Sequence, residues 1–299
     1  MRRNIKGVTG SQSSGPSTST QVGNDRTSLR ARIDKEYDNS AVFPDVPEWR
    51  LTWRRRSDAV PVVAPAKVDV AYGPAPLQKL DVFPHTDPTA STAVFIHGGF
   101  WSRNSKETFR FTVSGIHAAG FHAAFIGHTL APDARIDEIV DEIRSATRWI
   151  FLNLSELGFA VRPLVVVGWS SGAHLAAMAI NDDHVAAGIG ISGIYDLDPM
   201  QRASINDVLK LDADAVRQNS PLFRLPVRSG PFTLAYGQRE LPAFRNQSER
   251  YYAARVQAGL PSDILALPGH HHHSVLEELY KSDGKLTKVL AKLAILAAE

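Results

Sequence analysis

Residues 164–179 read Leu164-Val165-Val166-Val167-Gly168-Trp169-Ser170-Ser171-Gly172-Ala173-His174-Leu175-Ala176-Ala177-Met178-Ala179. An apolar run rich in β-branched residues comes first, then G-x-S-x-G, then a stretch of good helix formers. That is the order strand, sharp turn, helix, and it makes the central serine, Ser170, a candidate nucleophile held on a strained turn. Glycines at 168 and 172 leave room for the backbone to pass on either side. A second glycine motif stands upstream, where His97-Gly98-Gly99-Phe100 follows the run Ala93-Val94-Phe95-Ile96. A glycine pair in that place lets the backbone N–H groups of Gly98, Gly99 and Phe100, with that of Ser171, converge on a developing oxyanion. Either motif alone is weak evidence. Together, in this order and each behind its own strand, they imply a serine hydrolase.

Outward from these motifs the chain alternates strands and helices. Val68–Val70 and Leu80–Val82 read as an antiparallel lead-in, with Gly73-Pro74 between them as a turn. Further strands are expected at Ala93–Ile96, His122–Ile126, Leu164–Val167, Ala186–Ile191 and Phe232–Tyr236. Between them, Ile136, Ile139, Val140, Ile143, Ala146, Trp149 and Ile150 recur three or four apart, as one helix face requires. Short apolar runs without alternation, separated by helices, predict an α/β chain with a mostly parallel sheet covered on both faces. The stretch from Ser274 to Ala298 is expected to be helical, interrupted at Asp283-Gly284.

The ends and the bulk composition set the limits. Residues 7–28 are rich in Gly, Ser, Thr and Gln, so residues 1–28 are expected to form a disordered leader. Residues 29–299 then make one domain, with 29–56 a helical segment packed across it and carrying Tyr37, Phe43, Trp49 and Trp53. A formal net charge of +2 over 299 residues implies no nucleic-acid partner. No apolar run reaches the ~20 residues of a membrane span, and no apolar segment follows the basic start as in a secretion signal. With no cysteine, disulfides and thiolate catalysis are excluded, and a cytoplasmic protein is expected. No cofactor and no metal is expected. The partner is a small-molecule substrate, with a homodimer as the candidate assembly.

Ser170 needs a base to take its proton and a carboxylate to orient that base. In α/β hydrolases the acid follows the serine and the histidine comes last. Two acids compete: Asp196 in Ser192-Gly193-Ile194-Tyr195-Asp196, and Glu240 in Ala235-Tyr236-Gly237-Gln238-Arg239-Glu240. The later position suits that order better, so Glu240 is the expected acid and Asp196 an ordinary loop carboxylate. The histidine comes from Gly269-His270-His271-His272-His273-Ser274. Four consecutive residues of a loop cannot all face one point, and spacing alone does not choose among them. A binding module without catalysis is disfavoured, because serine, carboxylate and histidine all stand in order.

These residues resemble the arylformamidase (kynurenine formamidase)-like branch of the α/β hydrolases, close to bacterial small esterases. The resemblance rests on His97-Gly98-Gly99-Phe100-Trp101, on Leu130-Ala131-Pro132 and on Ser192-Gly193-Ile194-Tyr195-Asp196-Leu197. Phe244-Arg245-Asn246-Gln247-Ser248 and Tyr37-Asp38-Asn39-Ser40-Ala41 with Pro44-Asp45 add to it. It spans about residues 35–280 and implies the α/β-hydrolase fold. Carried over, it puts the acid at Glu240, where relatives often have Asp. The relatives' Gly-x-Asn-His-Phe, aligned on Gly269 and Ser274, puts the catalytic histidine at His272 and a histidine, His273, where phenylalanine is usual. That substitution makes the pocket wall more polar. The implied reaction is hydrolysis of N-formylkynurenine or a related aryl amide, with short-chain carboxylesters or carbamates as the alternative. His97, Trp101 and Trp169, together with Phe100, are the expected pocket residues, closing a site for a small acyl group.

Overall fold

The computed structural model describes residues 18–63 and 65–296. Three helices come first: α1 (Thr18–Tyr37), α2 (Asn39–Val42) and α3 (Val46–Asp58). Then follow β1 (Lys67–Ala71), β2 (Lys79–Phe83), β3 (Ser91–Ile96), α4 (Val113–Ala118), β4 (Phe121–Ile126), α5 (Ile136–Leu152), β5 (Leu164–Trp169), α6 (Ser171–Ala179) and β6 (Val185–Ile191). Three short helices, α7 (Asp198–Arg202), α8 (Asn206–Leu209) and α9 (Ala213–Asn219), precede β7 (Phe232–Gly237). The chain ends on α10 (Pro242–Gln257), β8 (Ser262–Leu267), α11 (Glu277–Tyr280) and α12 (Lys285–Leu296).

The eight strands form one sheet in the order β1-β2-β4-β3-β5-β6-β7-β8. β1 pairs antiparallel with β2 and β2 antiparallel with β4, while every later pairing is parallel. Alternation of side chains splits each central strand between two cores. Leu164 and Val166 of β5 face the core made by α1, α5, α6 and α10. Val165, Val167 and Trp169 face the other, with Trp53 of α3 and the leucines of α11 and α12. Because both faces are covered, the central strands carry no polar alternation, and their apolar runs are legible as buried strands.

Helix α6 is buried along its whole length. Its alanines and Gly172 let it lie directly on the sheet. An added Cβ at Gly172 would stand 2.1 Å from the carbonyl oxygen of Ile96. The amphipathic stripe around Ile136 to Ile150 is the buried face of α5.

One boundary and two elements differ from the sequence reading. Helix α1 already begins at Thr18, inside the span expected as a leader, while residues 1–17 lie outside the described residues. Strand β8 and helix α10 were not anticipated. β8 is the far edge of the sheet and half-exposed, so its Ser-Asp-Ile-Leu-Ala-Leu sequence lacks the apolar run that marks the central strands. The C-terminal stretch is helical with its break at 281–284, and Ala298 lies outside the described residues.

Candidate active site

The parallel strands deliver the site to one edge, because every loop that follows a strand's carboxyl end emerges there. Ser170 follows β5 directly and caps α6 with φ 58° and ψ −123°, a conformation that L-residues rarely adopt. The turn survives because its surroundings overdetermine it. Ser170 N–H donates to the carbonyl of Ile191 at 2.8 Å. A Cβ at Gly168 would lie 2.1 Å from the backbone carbonyl oxygen of Gly172, and one at Gly172 would lie 2.1 Å from that of Ile96, so backbone packing requires glycine at each position separately.

The imidazole facing that serine belongs to His272. Its Nε2 lies 3.1 Å from Ser170 Oγ, and its Nδ1 lies 3.5 Å from Glu240 Oε2. The other oxygen of Glu240 accepts from the Ser192 hydroxyl and from Gly237 N–H at 2.7 Å. Those donors fix the carboxylate behind the ring. Phe244 packs on His272 at a centroid distance of 4.2 Å, and Trp169 Nε1–H donates to the His272 carbonyl at 2.8 Å. Serine, histidine and glutamate are all at least 96% buried. Asp196 is elsewhere engaged: one oxygen pairs with Arg250 at 3.0 Å, and the other accepts from Asp198 N–H at 3.0 Å.

The remaining histidines of the run diverge. His270 faces Glu278 at 2.9 Å, while His271 stacks on Phe43 and donates to Asp45 at 3.1 Å. His273 stacks on Trp53 at 5.4 Å, and burial pushes its imidazole down to about 2, so it is neutral. Its Nδ1 is buried without a partner. Among the described residues no group of three or more His, Cys, Asp or Glu is arranged to hold a metal.

The glycine loop after β3 approaches the serine from the other side. Gly98 touches the elbow so closely that a Cβ would lie 2.5 Å from Trp169 O and 2.8 Å from Ser170 Cβ. The Gly98 carbonyl accepts from Asn104 Nδ2 and from His97 Nδ1, each at 3.0 Å. In a trans peptide this turns the Gly99 N–H the opposite way. Positive φ at Gly99 (130°), Phe100 (52°) and Trp101 (55°) curls the loop. Trp101 N–H then donates to the Ser171 hydroxyl at 3.3 Å, tying the loop to the start of α6. The N–H of Ser171 is the first of that helix and lies at its positive end.

Two expected pocket residues are not there. Trp101 is 1% exposed and lies in the core, with its indole N–H on His174 Nδ1 at 3.2 Å. His97 is buried between His128, at 4.5 Å, and Phe109, and acts on the loop rather than on the cavity. Burial pushes its imidazole down to about 3, so it is a neutral donor to the Gly98 carbonyl. The causes differ: the curl of the loop sends Trp101 inward, while His97, which precedes the curl, is held in the ring stack with His128 and Phe109. Phe100 and Trp169 do line the cavity.

That cavity, about 560 Å³, opens above Ser170 and His272. Its far wall comes from parts of the chain with no catalytic motif: Tyr37, Asn39 and Arg50 from α1–α3, and Met200, Ile205 and Val208 from α7 and α8. The two walls are tied to each other. Asp34 accepts from the backbone N–H of Ser204 at 2.7 Å, and Arg30 pairs with Asp207. Gln247 joins them from below, donating to the Tyr37 hydroxyl at 2.9 Å and accepting from Tyr195 N–H at 2.9 Å. The one sequence signal for this cap was the group of aromatics in residues 29–56.

Comparison with known proteins gives a consistent picture. The BD-FAE family model matches residues 80–252. A kynurenine formamidase of Danio rerio is 32% identical over 241 residues, covering 76% of this chain and 81% of its own. Esterase LipC of Mycobacterium tuberculosis is 28% identical and covers 68% of this chain and 58% of its own. A Silicibacter crystal structure described as a thioesterase superposes with a TM-score of 0.79 at 26% identity, covering 86% of this chain and 98% of its own. No helix among the described residues is long and apolar enough to cross a membrane.

Proposed function

Because the chain belongs to the BD-FAE family, in the kynurenine-formamidase-like branch of the α/β hydrolases near the small esterases, we propose that it is a serine-dependent arylformamidase. Its substrate is N-formylkynurenine or a related aryl amide. The observation that carries the reading is the contact of Ser170 Oγ with His272 Nε2 at 3.1 Å, on the floor of a cavity of about 560 Å³. That volume suits a small aryl compound. Phe100, Trp169 and Tyr37 supply aromatic faces for its ring.

His272 takes the proton of Ser170 as its oxygen attacks the formyl carbon. Glu240 holds the ring and stabilises the imidazolium that forms. The N–H groups of Ser171 and Gly99, with Gly98 or Phe100, receive the oxyanion. Such donors contribute roughly 3–4 kcal/mol each to the transition state in hydrolases of this type. His272 then gives its proton to the leaving nitrogen, the C–N bond breaks, and water repeats the sequence on the formyl-serine ester. The cysteine-free chain fits a reducing cytoplasm, which we take as its place of action.

The alternative substrate is a short-chain ester, which the same groups would cleave; the esterase relative and the thioesterase-like structure favour keeping it in view. The deciding experiment is kcat/KM for N-formyl-L-kynurenine against p-nitrophenyl acetate, in wild type and Ser170→Ala. Strong preference for the formamide supports the proposal. Serine-dependent ester cleavage with negligible formamidase activity replaces it with an esterase.

A further inference from the structure

Four charged side chains line the cavity walls: Asp34, Asp38, Arg50 and Arg103. The two acids are already engaged within the protein. Asp34 accepts from both the N–H and the hydroxyl of Ser204. Asp38 caps α2, one oxygen accepting from Ser40 N–H at 3.0 Å and Ala41 N–H at 3.1 Å. Glu240 lies behind His272 and faces Ser192, Gly237 and His272, and on the other side of Arg50 a neighbouring pocket holds Asp58 and Glu107, the latter paired with Lys106. The two guanidinium groups, by contrast, have no hydrogen-bonded or ion-paired partner among the described residues.

Their placement differs in a useful way. Arg103 stands 5.8 Å over the ring of Phe100, an aromatic face that orients a guanidinium without neutralising it. Arg50 stands on α3, on the histidine side of the cavity, where its charge reaches His273 and adds to burial in keeping that ring neutral. His272 must protonate the departing heteroatom, so the leaving group lies on that same side. A planar fork of N–H donors matches a carboxylate in two parallel bonds.

We propose that Arg50 and Arg103 make this cavity selective for acyl substrates whose leaving group carries a carboxylate, Arg50 as the main contact and Arg103 as the second. The proposal deepens the acyl-transfer reading of Ser170 and is independent of whether the scissile bond is an amide or an ester.

The test uses the full chain and two matched pairs: phenyl acetate against its meta-carboxylate, and formanilide against its meta-carboxylate. Wild type should prefer the carboxylate member by about tenfold or more in kcat/KM, chiefly through KM, as one charge-assisted contact provides. Arg50→Gln should lower that preference the most, Arg103→Gln less, and the double variant should bring the ratio to about one. Sodium chloride at about 0.5 M should lower the wild-type ratio in the same direction, since the site is open to solvent. A wild type without preference overturns the proposal. So does a double variant that keeps it, or one that loses charged and neutral members by equal factors. Failure of the amide reading looks different: the formanilides stay intact while the ester pair still shows the carboxylate preference.

Discussion

Replacing Glu240 by glutamine removes one charge and almost no volume, and it measures what the carboxylate does for His272. The carboxylate oxygen is 3.5 Å from Nδ1, and both side chains are buried. When the imidazolium forms in the transition state, two unit charges at that separation attract by about 4–5 kcal/mol at an effective dielectric constant of about 20. At about 1.4 kcal/mol per tenfold, Glu240→Gln should therefore lower kcat by roughly 10³–10⁴. Folding should hold, because the glutamine carbonyl still accepts from Ser192 and Gly237. Asp196→Asn is the control: Asp196 is buried, but its partner Arg250 is 56% exposed and neither touches Ser170 or His272, so the change should alter activity by no more than about threefold. The assay is kcat on p-nitrophenyl acetate with melting temperature measured in parallel. Glu240→Gln within tenfold of wild type, or a deeper loss in Asp196→Asn, would refute the assignment of the acid.

Ser170→Ala should abolish turnover and fluorophosphonate labelling with the fold intact, and in an alanine scan of His270 to His273 only the His272 variant should lose labelling altogether. Gly98→Ala puts a methyl group 2.5 Å from Trp169 O; kcat should fall at least about 100-fold, the loss of one oxyanion donor, and near-wild-type activity would show that the loop can yield. His273→Phe keeps the stack on Trp53 and removes a buried, unpartnered nitrogen; it should stabilise by about 1 kcal/mol, read as a raised melting temperature, and a lowered one would contradict this. Lys106→Met takes one of two cations from the fully buried Asp81 and leaves Arg110 at 2.7 Å, so it should destabilise by about 1–3 kcal/mol. The same lysine makes that region acid-sensitive. Burial alone would raise the Glu107 carboxyl, but hydrogen bonds from Lys106 and Ser105 outweigh it and hold it at about 2. A folded value below the unfolded ~4.3 means that the stabilisation is complete above that pH and is lost as pH falls towards 2. Wild type should accordingly lose more melting temperature than Lys106→Met between about pH 5 and pH 2.5, and parallel losses would remove Glu107 from the explanation.

The readable parts of the fold share one physical property. β3, β4, β5, β6 and β7 are buried on both faces, so their sequences are apolar runs that no other local structure accounts for as well. β8 lies at the edge with one row of pairing, and its composition carries only half the signal. The leader boundary shifted because α1 runs on to Thr18 through residues that are polar and locally featureless. His97 and Trp101 were misplaced for a different reason. Their spacing from the glycine pair is local, but Trp101 is directed by three consecutive residues at positive φ and His97 by its stack on His128 and Phe109. Nothing in the residue types announces that curl except at Gly99.

By itself the sequence determined the mostly parallel sheet and the G-x-S-x-G turn that carries Ser170 between a strand and a helix. Both are short-range consequences of burial or backbone sterics within about a dozen residues. Only the tertiary structure decided which of four adjacent histidines meets the serine, since Asp45 and Trp53 claim His271 and His273 from distant parts of the chain and Glu278 claims His270 from the next helix. The same holds for the cap. Residues 34–50 and 200–208 are at least 150 positions apart, and they become one wall only when α1 pairs with α8 across the mouth of the sheet. A local pattern records what each residue prefers. It does not record which distant groups will reach it first.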